Sequence, residues 1–367
     1  MIGHKRVPSR VGGVEIVVAE LSERMAKLGH TVRLYNRYYG GEKLSEWNGC
    51  YVLEVPTPPW EKKSSALWYA LRATLNANRR KYDVIHFHAE GPCAMIPLAR
   101  LLNKTCVATI HGLDWQRSKW GGLATLFLKF GERMAARRAD EVIVLSRDMQ
   151  EYFRRKYGRE TLLIPNGITR RAPVKADLIK KDFGLSENGY ILYLARITPE
   201  KGLHYLIEAY AGIQTDIPLV IAGGLEPESM YISKIKHMAE KDKRVKLVGF
   251  VTGQTLEELF SNCRVYVLPS DIEGLPISLL EAINFRAPCL VSDIPENRDV
   301  APDYLHVFHQ GSVSDLKIKL EEILDQPCVK PDDEETDRIL EKYDWDQVTR
   351  QTLAAYISAR ENHDLIL

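Results

Sequence analysis

Two carboxylates, Glu273 and Glu281, stand eight positions apart in the stretch Pro-Ser-Asp-Ile-Glu-Gly-Leu-Pro-Ile-Ser-Leu-Leu-Glu (269–281), with a helix opening at Gly274-Leu275-Pro276 between them. Acids at that interval can grip the two ends of an elongated polar ligand. The apolar run Val265-Tyr266-Val267-Leu268 just before reads as a buried strand. Pro276 suits the first turn of a helix, where its missing N–H is no loss. The unpaired N–H groups of that turn favour an anion such as a diphosphate. Glu281 then lies about 7.5 Å along the helix from Pro276, at roughly 1.5 Å per residue. The spacing suits a sugar at one end, a diphosphate in the middle and a ribose at the other. A surface loop entering an amphipathic helix, with both glutamates solvated, is the bland alternative.

A second constellation closes a strand and opens a helix: Leu194-Ala195-Arg196-Ile197-Thr198-Pro199-Glu200-Lys201-Gly202. Arg196 and Lys201 flank the turn and can neutralise a diphosphate leaving group as its bond to a sugar breaks, without a metal ion. A solvated turn is the competing reading. Asp271-Ile272-Glu273 superficially matches an Asp-x-Asp metal motif, but the basic pair already provides for the diphosphate. His111 ends the apolar run Ala108-Thr109-Ile110, on the ligand-facing rim of a parallel sheet. His86 and His88 share one strand face, with Glu90-Gly91 following; they line a cleft or simply pack. Glycines at strand ends (Gly223-Gly224, Gly249) and the pair Gly12-Gly13 allow close backbone approach to a ligand, a weak signal in any α/β protein. Ser292, Asp293 and Glu296 follow another strand end and touch a ligand or cap a helix.

The elements that must position these groups are strands alternating with amphipathic helices, which argues for parallel sheets covered on both faces. Strands are expected near 31–36, 51–55, 83–88, 105–110, 141–145 and 161–164, then near 190–194, 218–222, 245–250, 264–268, 288–292 and 305–308. Helices are expected near 14–28, 65–80, 92–102, 121–138 and 147–156, then near 202–213, 228–242, 254–261, 276–285 and 312–324. Asp344 is placed to cap a final helix, 345–360. The acidic run 332–335 reads as a solvated helix start.

A chain of 367 residues exceeds what one core usually serves, so two domains are expected. Residues 1–167 carry 27 Lys and Arg against 16 Asp and Glu, an excess of +11; the remainder carries 23 against 33, or −10, giving the overall +1. A basic first half implies an acidic partner for that half alone. Helices 65–80 and 121–138 set Trp68, Tyr69, Leu71, Leu126, Phe127, Leu128 and Phe130 beside Arg72, Arg79, Arg80, Lys129, Arg133, Arg137 and Arg138. That pattern fits either a membrane-surface contact or core helices with solvated basic faces. The six cysteines have no metal-like spacing and suit reduced, buried thiols in a cytosolic protein. No apolar run approaches the length of a membrane span.

The stretch 269–281 resembles the Glu-x7-Glu motif of retaining glycosyltransferases of family four, and 194–202 resembles that family's Arg…Glu-Lys-Gly motif. With Gly12-Gly13 and His111, the motifs fall in family order along nearly the whole chain. The resemblance implies the α/β GT-B fold: two Rossmann-like domains with parallel sheets facing across an active-site cleft, and a C-terminal helix crossing back to the first. The domains would be residues 1–167 (acceptor), 168–344 (nucleotide sugar) and the returning helix 345–367. It implies a nucleotide diphosphate sugar as donor (UDP, dTDP or GDP), no cofactor, and transfer to a saccharide hydroxyl with retention of configuration, the departing phosphate taking the proton.

By the same resemblance, Glu273, His111, Arg196 and Lys201 are the expected catalytic residues. Gly12, Gly13, Gly223, Gly274, Leu275, Pro276 and Glu281 would complete the donor site, and Arg10, His88, Glu90 and Asp114 would face the acceptor. Segments 3–10, 88–92 and 111–117 look like a bacterial branch building capsule and cell-wall polysaccharide, some members resembling rhamnosyltransferases. A polyprenyl-diphosphate-linked acceptor at the inner membrane face, with no nucleic-acid partner, would suit the basic half. One departure stands out: only Met1 and Ile2 precede segment 3–6, where the family has a strand, so either that strand is very short or the natural start lies upstream. A sugar-nucleotide 2-epimerase of the same fold and a non-catalytic nucleotide-sugar binder are the rival functions. A dehydrogenase is disfavoured, because no Gly-x-Gly-x-x-Gly with a following acid is present.

Overall fold

The computed structural model describes residues 1–57, 65–116, 121–226 and 229–364, and the chain divides into two units. Unit 1 comprises Met1–Gly167 and Tyr343–Leu367; unit 2 comprises Ile168–Lys342.

Unit 1 runs α1 (Gly13–Lys27), β1 (Arg33–Tyr38), β2 (Glu46–Trp47), β3 (Cys50–Pro56), α2 (Ser65–Asn78), β4 (Ile85–His88), α3 (Glu90–Cys93), α4 (Ile96–Arg100), β5 (Cys106–Ile110), α5 (Leu123–Arg138), β6 (Glu141–Val144), α6 (Arg147–Tyr157) and β7 (Leu162–Leu163). Its strands form two ordered sets, β1-β3-β2 and β4-β5-β6-β7, all parallel except the β2–β3 pair. Every residue of β4 and β5 is buried, as expected of strands covered on both faces. The two sets are joined through the chain's first two residues. Tyr35 N donates to Met1 O, Ile2 N to His86 O, and His88 N to Ile2 O, so a single bridge between Ile2 and Phe87 stands in the gap.

The helix expected at 92–102 is two short helices instead. Pro97 sits in the first turn of α4, which places a fresh helix start there rather than a helix interior.

Unit 2 runs α7 (Leu178–Phe183), β8 (Ile191–Leu194), α8 (Leu203–Ala211), β9 (Leu219–Ala222), α9 (Met230–Glu240), β10 (Val245–Gly249), α10 (Gly253–Asn262), β11 (Val265–Leu268), α11 (Ile277–Asn284), β12 (Cys289–Ser292), α12 (Pro295–Arg298), β13 (His306–Phe308), α13 (Val313–Asp325) and α14 (Asp333–Leu340). One fully parallel sheet has the order β10-β9-β8-β11-β12-β13. The order reverses between β8 and β11. In open α/β sheets the crevice outside the strand C-termini at such a reversal is where ligands bind.

The last helix, α15 (Trp345–Asp364), begins with Asp344 accepting from Gln347 N at 2.8 Å, the expected cap. It packs on α1, β5 and β6. Tyr356 meets His86, and Ser358 and Asn362 both donate to Glu141 Oε1. All six cysteines are free, five of them buried.

Candidate active site

The turn after β8 and the loop after β11 are pressed together at the sheet's reversal point. Gly202 has φ +66°, and a Cβ there would lie 1.8 Å from Pro269 O, so no side chain fits. Asp271 N donates to Glu200 O at 2.9 Å across the same contact. This close approach sets Lys201 Nζ 2.5 Å from Glu273 Oε1, with both side chains nearly buried at 11% and 8% exposure. Ser270 Oγ donates to the same carboxylate oxygen at 2.7 Å. Behind it, Ser292 Oγ bonds Ser270 O, and Asn297 Nδ2 holds Ser292 through both its carbonyl and its hydroxyl. The expected catalytic pair is therefore in contact and backed by a buried polar chain from the next strand.

The start of α11 is fixed to the end of β8. Tyr266 OH donates to Ser278 Oγ at 2.9 Å and approaches Leu194 O at 3.3 Å. Pro276 occupies the helix N-cap and makes no side-chain cap hydrogen bond of its own. The first turn of a helix carries backbone N–H groups without intrahelical partners, an arrangement that suits an anion. Gly274 and Pro276 are buried there, and Leu275 and Glu281 are half-buried. Arg196 is exposed, its backbone carbonyl held by Tyr193 OH at 3.0 Å. Gly223 has a packing reason as well as the expected ligand role: a Cβ there would meet Ala195 O at 2.4 Å.

Unit 1 carries its own set of polar residues. His111 lies just past the end of β5, half-buried, with Nε2 3.1 Å from His88 Nδ1. His86 is fixed by Thr109 Oγ1 at 2.7 Å and Tyr356 OH at 2.8 Å. Burial, then the neighbouring positive charges, hold the imidazoles of His86 and His88 well below the usual range, so both are neutral. His88 and Glu90 have 0% exposure. Neither side chain meets solvent where an acceptor was expected to touch it, so their place is beneath the rim that His111 and Asp114 occupy. Arg10 is exposed. Gly12 is the N-cap of α1, and Glu15 of its first turn accepts from Lys5 N at 2.9 Å, tying the segment before the helix to it. Of the acceptor-side segments, 111–117 is described as far as Gln116; Arg117 lies outside the described residues.

Sequence reasoning missed Ser270, Tyr193 and Tyr266, whose roles are to hold backbone or carboxylate rather than ligand. It also missed Trp115 and Glu132, which meet at 2.7 Å. Glu132 sits mid-helix, and nothing in its local pattern distinguishes it from a solvated acid.

Comparison with known proteins matches residues 11–171 to the family described as Glycosyltransferase Family 4, and residues 175–343 to Glycosyl transferases group 1. The chain is 28% identical over 241 residues to UDP-Gal:α-D-GlcNAc-diphosphoundecaprenol α-1,3-galactosyltransferase of Escherichia coli, a match spanning 60% of each chain. It is 29% identical to α-D-kanosaminyltransferase of Streptomyces kanamyceticus over 63% of this chain and 64% of the relative. It thus spans less than two-thirds of either. An uncharacterised glycosyltransferase of Methanocaldococcus jannaschii is matched over 98% of both chains at 25% identity. Among solved structures, sucrose-phosphate synthase of Thermosynechococcus elongatus superposes with a TM-score of 0.83 at 21% identity, covering 94% of this chain and 93% of that one. HepE of Anabaena with UDP and glucose gives 0.73 at 17%, covering 96% and 97%.

Proposed function

The chain belongs to glycosyltransferase family 4 and has the GT-B fold, and from that premise we propose that it moves a sugar from a nucleotide diphosphate sugar to a hydroxyl of a lipid-linked saccharide. The Lys201–Glu273 pair at the reversal of the unit 2 sheet carries the reading. The donor diphosphate would lie over the first turn of α11, met by its N–H groups, Arg196 and Lys201. Glu273 would then accept hydroxyls of the sugar and Glu281 those of the ribose. By the family resemblance, His111 would hydrogen-bond the transferred sugar, and Gly12 and Gly13 would admit the donor closely.

The acceptor oxygen attacks the anomeric carbon on the face the leaving group departs from. The bond from that carbon to the phosphate oxygen breaks, and the phosphate oxygen takes the acceptor's proton. Arg196 and Lys201 offset the charge that builds on the diphosphate as the bond breaks. Configuration is retained, and no metal ion is required. The E. coli relative acts with UDP-galactose on a diphosphoundecaprenol-linked sugar. That supports UDP-sugars ahead of dTDP-rhamnose or GDP-sugars, and a polyprenyl diphosphate carrier, within surface polysaccharide synthesis.

Carriers of that kind sit at the cytoplasmic membrane face, and two helices of unit 1 suit a peripheral contact. Leu67, Trp68 and Leu75 of α2 and Leu123, Leu126 and Phe130 of α5 are exposed beside Arg72, Arg79, Lys129 and Arg133, whereas Tyr69 and Leu128 are core. Among the described residues no helix is long and apolar enough to cross a membrane.

A thermal-shift screen of UDP-, dTDP- and GDP-sugars, followed by NMR of the product from the donor selected, tests the reading. An α-linked donor should yield an α-linked product, with rates unchanged by EDTA. Inversion, loss of turnover with EDTA, or conversion of the donor to a free epimer without acceptor would each contradict it. Stronger binding to anionic than to neutral liposomes is the expected result for the membrane contact, and equal binding ends it.

A further inference from the structure

Beneath the unit 1 rim lies a buried acid with no part in the proposed transfer step. Glu132 has 0% exposure, yet its carboxylate collects four donors. Trp115 Nε1 reaches Oε2 at 2.7 Å; Tyr152 OH and Lys156 Nζ reach Oε1 at 2.9 and 2.8 Å, and Tyr157 OH donates to the same oxygen. The tyrosines and Lys156 come from α6, which follows β6. Trp115 comes from the short 3-10 turn Asp114–Gln116 that continues the rim from His111. Lys129 and Lys156 stand over the Trp115 ring, 4.4 and 5.5 Å from its centre.

The acid is also pressed against a second one. A Cβ on Gly131 would lie 1.9 Å from Glu90 O, so α5 lies directly on the backbone of α3 and brings the two glutamates together. Burial, then the charges of Asp114 and Glu132, push the Glu90 carboxyl up to about 10, so it is held neutral. Burial pushes Glu132 upward too, but the hydrogen bonds from Lys156, Tyr157, Tyr152 and Trp115 outweigh this and keep it below its ordinary range. Glu132 is the charged member. A buried charge of this kind seldom adds stability over an apolar side chain of its size. What it supplies instead is a fixed point with directional bonds on two sides.

We propose that Glu132 is a positioning residue for glycosyl transfer, holding the rim that carries His111 and Asp114 in register by anchoring Trp115. The proposal rests on the reading of His111 as a sugar contact. Because α6 and the rim bond the same carboxylate, the two sides can be cut separately. Trp115→Phe removes the rim's donor and keeps an aromatic ring in its place. Tyr152→Phe removes a donor on the α6 side only.

Two measurements on the full chain decide it: amide hydrogen exchange over residues 111–116, and turnover of the donor chosen by the nucleotide-sugar screen. Trp115→Phe should speed exchange at Leu113 and Asp114 and lower kcat about 10- to 100-fold, as small misplacements at reacting centres do, with donor KM within about two-fold. Glu132→Gln should fall between it and wild type. Tyr152→Phe should lower Tm while leaving kcat and rim exchange near wild type. Wild-type exchange and kcat in Trp115→Phe would overturn the proposal, as would equal loss of kcat in Tyr152→Phe. His111→Ala separates the layers. If that variant turns over normally, the sugar-contact reading fails, while the exchange data still report whether Glu132 anchors the rim.

Discussion

The two candidate regions hold buried polar groups in different ways. In unit 2, Lys201 and Glu273 are opposite charges in direct contact, nearly buried, and both sit within a few residues of a strand end. In unit 1, three groups beneath the rim are kept neutral, His86 and His88 depressed and Glu90 raised, and the one acid that stays charged, Glu132, is held by four donors. On the proposed function, Lys201 would exchange its internal partner for a charged ligand. Unit 1 is instead a frame whose charge state must not change if the rim is to stay put. On the proposed function, the contrast would give charge chemistry to the diphosphate contacts and fixed geometry to the sugar contacts.

The largest test of the contrast removes the ion pair. Lys201→Ala or Glu273→Ala should each lower transfer by about 10³-fold, the scale for losing a preorganised electrostatic contact. Removing one partner of a buried pair should also cost about 3 kcal/mol of stability by denaturant unfolding. Rates near wild type in both would mean that the pair is structural only.

Unit 1 should answer to pH instead. Burial holds His4 down at about 3 and His86 and His88 well below the ordinary range, so the three stay neutral while the unfolded chain protonates them below about pH 6.5. Their contribution is fully present above that pH and is lost as pH falls. Glu90 runs the other way, keeping a proton that the unfolded chain has given up above about pH 4.5. Between pH 6 and 5, unfolding therefore takes up protons on balance, the buried Met1 amine (lowered to about 5) adding to the histidines, and stability should fall as pH falls through that window. Denaturant melts at pH 7, 6 and 5 followed by a probe in unit 1 check this. A flat profile would mean that these groups are not held neutral.

A smaller effect sharpens the unit 2 side. Gly202 and Gly184 share a positive φ, but only Gly202 faces backbone within reach of a Cβ. Gly184→Ala should cost about 1 kcal/mol from backbone strain alone. Gly202→Ala should cost clearly more, about 3 kcal/mol with the clash, and should weaken nucleotide binding by displacing Lys201 from Glu273. Equal costs would show that the contact with Pro269 is readily relieved.

The sequence made the unit 2 site legible because its chemistry is local. Apolar runs ending in Gly or Pro mark strand ends, and charged residues just beyond a strand end have few places to go except the crevice above the sheet. Arg196, Lys201, Glu273 and Pro276 could all be found that way. Unit 1 was legible only in part. His111 follows the same strand-end rule. His88 and Glu90 were read as acceptor contacts, with packing the alternative for His88, and both are wholly buried; the close approach of α5 through Gly131 lies against Glu90. Glu132 left no trace, since its partners are 17 to 25 residues away and an acid in an amphipathic helix ordinarily faces water. The break between α3 and α4 was readable from Pro97, but the apolar spacing across it favoured one continuous helix.

Calorimetric titration of UDP, dTDP and GDP into the wild-type chain and into Lys201→Ala tests the central claim most directly. At least one nucleotide should bind the wild type, with an affinity that falls at least about 10-fold in the variant, the scale of one charge-assisted hydrogen bond to phosphate. Binding of none of the three, or equal affinity in both proteins, would contradict it.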